Sequence, residues 1–174
     1  MTDEQFENLA KRHPDLFQKA GDFEFSIGEG WYDIVDLLCG YLSYDVESAK
    51  RKLKYAMENP NAKFNKSIAE LEKNVADALE QLPTLAQVKE KFGTMRFYVD
   101  GGTAEMHNYI QFAEAMTSRT CEVCGDRGTS RTGGWVRVLC DKHSREQDEK
   151  DIAAGRIPKA PTSVKLSDEW KSEL

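Results

Sequence analysis

The sequence predicts an α+β fold: a small sheet with several helices, followed by a C-terminal module resembling a treble-clef zinc finger. Three observations carry this reading. Apolar spacing switches between helical and strand period several times along the chain. Three of the four cysteines fall within 20 residues, in a pattern with metal-ligand spacing. With 174 residues, 40% of them hydrophobic, the chain has enough apolar mass for one domain with a small annex.

The elements follow in order. Phe6, Leu9, Leu16 and Phe17 mark a short helix over residues 3–19, interrupted near Pro14. Phe23-Glu24-Phe25-Ser26-Ile27 alternates apolar and polar, which is strand period, and Gly28-Glu29-Gly30 breaks it. Trp31, Ile34, Val35, Leu38 and Leu42 then form a helical stripe with Cys39 beside it. Val46, Ala49, Leu53 and Met57 continue the helical pattern until Asn59-Pro60. Phe64, Ile68, Leu71, Val75, Ala78, Leu79 and Leu82 give the cleanest helix, closed by Pro83.

At Lys91-Phe92-Gly93 the period changes again. Met95, Phe97 and Val99 alternate with Thr94, Arg96 and Tyr98, so this is a strand, paired with residues 87–89 as a hairpin. Asp100-Gly101-Gly102 is a turn and Thr103 an N-cap for a helix carrying Met106, Tyr109, Ile110, Ala113 and Met116. Residues 144–154 are charged and helix-permissive, and Gly155 ends them. The organisation expected is an α+β body over residues 1–118, a zinc module with its following helix over 119–154, and an extended tail over 155–174 anchored by Trp170.

Charge excludes some functions. The net charge is -6. Residues 119–143 set Arg119, Arg127, Arg131, Arg137 and Lys142 against Glu122, Asp126 and Asp141, which leaves +2 there and -8 on the rest. An acidic body does not wrap nucleic acid nonspecifically, because phosphate contacts need Lys and Arg. No stretch approaches the roughly 20 apolar residues of a membrane span; residues 31–42 come nearest and contain Asp33 and Asp36. The acidic start Met1-Thr2-Asp3-Glu4-Gln5 carries no secretory signal, so a cytoplasmic location is expected.

The chemistry concentrates in Cys121-x2-Cys124-x15-Cys140-x2-His143. Thiolate and imidazole are the donors zinc favours, in a tetrahedron of four. A Cys-x2-Cys turn puts two sulfurs on one ion, and Gly125 lets the backbone curl so that amides face them. Cys140 and His143 sit one helical turn apart at a helix start. Residues 125–139 between the pairs fit a knuckle and a β-hairpin. Four local ligands close the coordination sphere, which makes the zinc structural and not catalytic. A catalytic zinc on such a scaffold needs further histidines, and the chain has only His13, His107 and His143.

Elsewhere the signals are thinner. Gly28-Glu29-Gly30 between a strand and a helix could cradle a phosphate, but it lacks a P-loop or dinucleotide pattern and reads as a βα turn. Asp33, Asp36 and His107 are the residues a hydrolase would have to use. Arg96 and Tyr98 share one strand face, a basic residue beside an aromatic that suits stacking on a base. The basic loop over residues 129–135 adds Arg131 and Trp135. These four form the expected binding surface.

Together, Gly30-Trp31 opening a helix, the run Gln87-Val88-Lys89-Glu90-Lys91-Phe92-Gly93-Thr94-Met95-Arg96-Phe97-Tyr98, Ala113-Glu114-Ala115-Met116, Thr120-Cys121-Glu122-Val123-Cys124-Gly125, Gly133-Gly134-Trp135 and Leu139-Cys140-Asp141-Lys142-His143 resemble a family of small proteins from tailed bacteriophages and prophages. The resemblance spans roughly residues 23–145. It implies a phage accessory protein in a bacterial cytoplasm, of the kind that binds host factors or counters host defence. The function expected is therefore a non-catalytic binding protein with a structural zinc, directed at a host protein or a nucleotide-like ligand. The alternatives are nucleic-acid binding through the basic zinc module, and a nucleotide hydrolase.

Overall fold

Pro14 splits the first apolar stripe into two helices, α1 (Asp3–Arg12) and α2 (Pro14–Ala20). Thr2 caps α1 in a capping box with Gln5, and Pro14 takes the first position of α2, where its missing N–H costs nothing. This is a computed structural model; it describes residues 1–60, 65–131 and 135–156. The expected tail with Trp170, and Thr132 to Gly134 of the loop, lie outside the described residues.

After α2 the chain runs through strand β1 (Glu24–Ser26) and a single 3-10 turn (Glu29–Trp31) into α3 (Tyr32–Glu58), a helix of 27 residues. Helix α4 (Ile68–Gln81) follows; Phe64 lies outside the described residues. Its N-terminus is set by Ser67 and Glu70, each side chain bonding the other's backbone amide. Lys19 of α2 caps its far end, donating to the carbonyls of Leu79, Glu80 and Leu82.

Strands β2 (Thr84–Lys91) and β3 (Thr94–Asp100) form the expected hairpin, longer than alternation alone suggests. Its two-residue turn, Phe92-Gly93, is left-handed at both positions, with φ of 54° and 76°. Such turns match the strand twist and favour Asn-Gly, so a phenylalanine there is unusual. The sheet order is β1-β2-β3, with β1 parallel and β3 antiparallel to β2.

Helix α5 (Ala104–Thr117), capped by Thr103, lies along β3. The core sits between the helices and one face of the sheet. It is built from Trp31, Val35, Leu38 and Leu42 of the α3 region, Leu85, Val88, Met95 and Phe97 of the strands, and Met106 and Ile110 of α5. Alternation sends Gln87, Lys89, Arg96 and Tyr98 to the opposite, solvent-facing side. The chain ends, among the described residues, with β4 (Thr129–Arg131), β5 (Arg137–Leu139) and α6 (Asp141–Ala153). Gly155, at φ 71°, closes α6 as expected. No described helix is long and apolar enough to cross a membrane.

Candidate metal centre

Cys121 and Cys124 lie in a knuckle between α5 and β4. The Gly125 N–H donates to the Cys121 carbonyl at 2.9 Å, and Gly125 takes φ 81°, which folds the turn tightly. The Cys121 N–H in turn donates to the Asp126 carbonyl at 2.7 Å. The hairpin β4–β5 then returns the chain, and the Glu122 N–H donates to Val138 of β5 at 3.0 Å. Cys140 follows β5 as the N-cap residue of α6, and His143 lies in its first turn.

This brings the four expected donor atoms within 4.8 Å of one another. Cys124 Sγ and Cys140 Sγ are 3.8 Å apart. His143 Nδ1 stands 3.4 Å from Cys121 Sγ and 3.2 Å from Cys140 Sγ. Bonds of about 2.3 Å to sulfur and about 2.0 Å to nitrogen in a tetrahedron separate two sulfurs by about 3.8 Å and a sulfur from a nitrogen by about 3.5 Å. The cluster thus has the dimensions and the soft donor set of a metal site. His143 turns Nδ1 inward, and its Nε2 faces Glu146 at 3.8 Å.

Local electrostatics favour a thiolate at Cys121. Burial raises its thiol, but backbone N–H groups of Cys140, Val123 and Cys124 directed at the sulfur outweigh burial and hold it below the ordinary thiol value. Cys39 is the contrast. It is fully buried in α3, and burial, reinforced by Asp36, pushes its thiol far up, so it is an inert core residue.

The module is docked on the body by residues that the sequence reading took for a plain turn. The Gly30 N–H donates to the Glu122 carbonyl at 3.0 Å, and Trp31 Nε1 to the Thr120 carbonyl at 2.9 Å. A Cβ on Gly28 would lie 2.1 Å from the Glu122 carbonyl oxygen, and one on Gly30 2.2 Å from that of Cys121. The glycine notch is filled by the knuckle's own backbone, which leaves no cradle for a phosphate. The hairpin tip supports the other side. Gly93 packs against Val136 and Arg137, and Trp135 Nε1 donates to Glu90 at 3.2 Å. The only sequence signal for this docking was the pair of glycines, which equally suits a turn.

The expected binding residues are distributed over two neighbouring regions. Arg96 donates to Thr94 Oγ1 and to the Met95 carbonyl, and Tyr98 is exposed with Lys89 Nζ 6.0 Å from its ring centre. Arg131, on β4, pairs with Asp141 at 2.6 Å. Trp135 is 76% exposed beside the hairpin tip. Asp36 is held by His13 at 3.0 Å and Arg12 at 2.7 Å, whereas Asp33 and His107 are exposed. No hydrogen bond joins these three hydrolase candidates among the described residues.

Comparison with protein-family models, with curated proteins and with solved structures finds no match.

Proposed function

We propose that this chain is a non-catalytic binding protein whose recognition surface is stapled by a structural zinc ion. The observation that carries the reading is the Cys121, Cys124, Cys140 and His143 cluster at tetrahedral spacing. All four donors come from one short segment, so a bound zinc has no vacant position for substrate and contributes folding energy by joining the knuckle to the start of α6.

The binding face is the solvent side of the sheet. Lys89 stands 6.0 Å from the exposed ring of Tyr98, Arg96 and Lys91 follow along the same face toward the tip, and Phe92 and Trp135 adjoin them there. Cations beside a flat ring suit a nucleotide-like anion, which stacks on the aromatic and pairs through its phosphate. A role toward a bacterial host factor, including counter-defence, rests on the resemblance of motifs to phage proteins alone.

Nucleic-acid binding through the zinc module draws less support. Arg131 is neutralised by Asp141 and Arg137 by Glu122 at 2.6 Å, so two of the module's cations are already engaged.

The test has two parts. Metal analysis of the purified chain is expected to give one zinc per chain, lost in Cys140→Ser. Titration with adenosine monophosphate and triphosphate, followed by NMR, is expected to shift Tyr98 and Arg96. Arg96→Ala and Tyr98→Ala should each weaken binding roughly tenfold while keeping zinc and melting temperature. Unchanged binding in both variants would show that the sheet face is not the site. No zinc in protein expressed with zinc supplied would overturn the staple.

A further inference from the structure

Helix α3 is apolar on two sides. One side carries Val35, Leu38, Leu42 and Val46 into the core. The other leaves Leu37, Tyr41 and Tyr44 some 59–64% exposed. Helix α5 repeats this, with Met106, Ile110 and Ala113 inward and Phe112 and Met116 outward, 69% and 42% exposed. Between the two helices runs a groove of about 510 Å³ whose walls include Ile34, Leu37, Tyr41, Tyr109, Phe112 and Met116. Singly exposed apolar side chains are ordinary, but a contiguous apolar groove of this kind marks an interaction site.

The spacing says what shape fits. Ile34, Leu37, Tyr41 and Tyr44 recur at three, four and three residues, and Tyr109, Phe112 and Met116 at three and four. That is the seam pattern of helices packed in a bundle, and among the described residues no third helix lines the groove. The groove lining carries no cation and no amide, so it does not suit a nucleotide or another anion.

The rim says what charge fits. At one end the Tyr109 hydroxyl donates to Glu105, and the ring of Tyr109 lies 5.1 Å from that of Tyr41, tilted by 37°. The bond to Glu105 holds the Tyr109 hydroxyl above its ordinary pKa, with a smaller contribution from the charge of Asp45. At the other end Asp33 is exposed one residue before Ile34. A second copy of this chain would bring the same carboxylates to its own rim, and like charges across an interface are unfavourable. A basic partner meets no such penalty.

We propose that the α3/α5 groove docks an amphipathic helical segment of another protein, with apolar anchors at helical spacing and Lys or Arg toward Asp45 and Glu105. This rests on the reading of the chain as a binding protein but uses a different surface. The mode is a helix laid in a groove, read through side chains on successive turns.

The probe is a synthetic helical peptide of about 14 residues, four turns, with leucines at three-four spacing and lysines elsewhere. It is titrated into the full zinc-loaded chain at physiological ionic strength, alongside a counterpart with glutamates for lysines. The lysine peptide is expected to bind one to one and to shift Phe112 and Met116 resonances. Binding should weaken roughly tenfold or more in Phe112→Asp, in Leu37→Asp and in the Asp45→Lys, Glu105→Lys pair, and with the glutamate peptide. Both apolar variants change exposed side chains, so the fold is expected to survive them. Equal binding by all variants, or no binding by the lysine peptide, would overturn the proposal. Self-association abolished by Phe112→Asp would give the groove to a second copy instead. Binding seen only after removal of residues 157–174 would give it to the chain's own C-terminal segment. Arg96→Ala is expected to leave the peptide titration unchanged, so failure of this proposal and failure of the nucleotide reading are separate results.

Discussion

Gly30 stands where the Cys121–Cys124 knuckle crosses the start of α3. A methyl group there would lie 2.2 Å from the Cys121 carbonyl oxygen and 2.4 Å from the Gly125 nitrogen. Both are backbone atoms, so no rotamer change relieves the clash and the module must shift bodily. We expect Gly30→Ala to destabilise the chain by about 3 kcal/mol, the range of severe overpacking. The loss should appear in a thermal melt, together with a changed emission from Trp31, whose indole N–H is bonded across the same contact. Zinc content should stay at one per chain, because none of the four ligands is touched. An unaltered melt would mean that knuckle and notch are not in contact in solution. At this scale the sequence was unevenly legible. The clustering of Cys121, Cys124, Cys140 and His143 could be read because such spacing is a local property of a turn and a helix start. Gly30 could not, because the atoms that exclude its side chain belong to residues about ninety positions further along.

Strand β3 is an edge strand, and an unguarded edge pairs with other chains. Here α5 guards it. The Met95 N–H donates to Thr117 Oγ1 at 3.0 Å, and the Phe97 N–H to Glu114 Oε1 at 2.8 Å. Thr117 is fully buried, and its hydroxyl donates a hydrogen bond to the Glu114 carbonyl at 2.6 Å. Thr117→Val keeps the shape but strands the Met95 amide, at a cost of about 1–3 kcal/mol. Thr117→Ser keeps the hydroxyl and should recover most of the loss in a denaturant titration. If valine is as stable as threonine, the edge amide has another partner. The hairpin itself was legible from alternation, since a half-buried strand must repeat every two residues. Strand β1 was legible in the same way, but its parallel pairing with β2 and the guard on α5 were not, because pairing between distant segments leaves no periodic trace. The start of α4 carries a signal that apolar periodicity does not use: Ser67-Ile68-Ala69-Glu70 is a capping box, and the helix begins at Ile68.

Across the whole molecule the two proposed surfaces differ in chemistry. The outer face of the sheet carries Lys89, Lys91, Arg96 and Tyr98, whereas the α3/α5 groove is lined by apolar and tyrosine side chains. The metal centre adjoins the first through the hairpin tip, and it adjoins α3 through Gly30 and Trp31. Composition could not reveal this, because a net charge of -6 says nothing of how charge divides between faces. A metal ion held by the cluster would be tied to the stability of the body. Trp31 is fully buried in the core, and its indole hydrogen bond ends on Thr120, one residue before the first ligand. Removal of the zinc proposed above would free the knuckle from α6 and loosen the contact that fixes Trp31. A chelator at neutral pH is therefore expected to lower the melting temperature of the entire chain in one cooperative transition, by several degrees for each kcal/mol lost. Acid should act in the same direction, since zinc binds the deprotonated thiolates and the neutral imidazole, and protons displace it as pH falls. Readdition of zinc at neutral pH should restore the original melt. A chelated chain that melts as the metal-loaded one does would show that the module contributes nothing to the fold beyond itself.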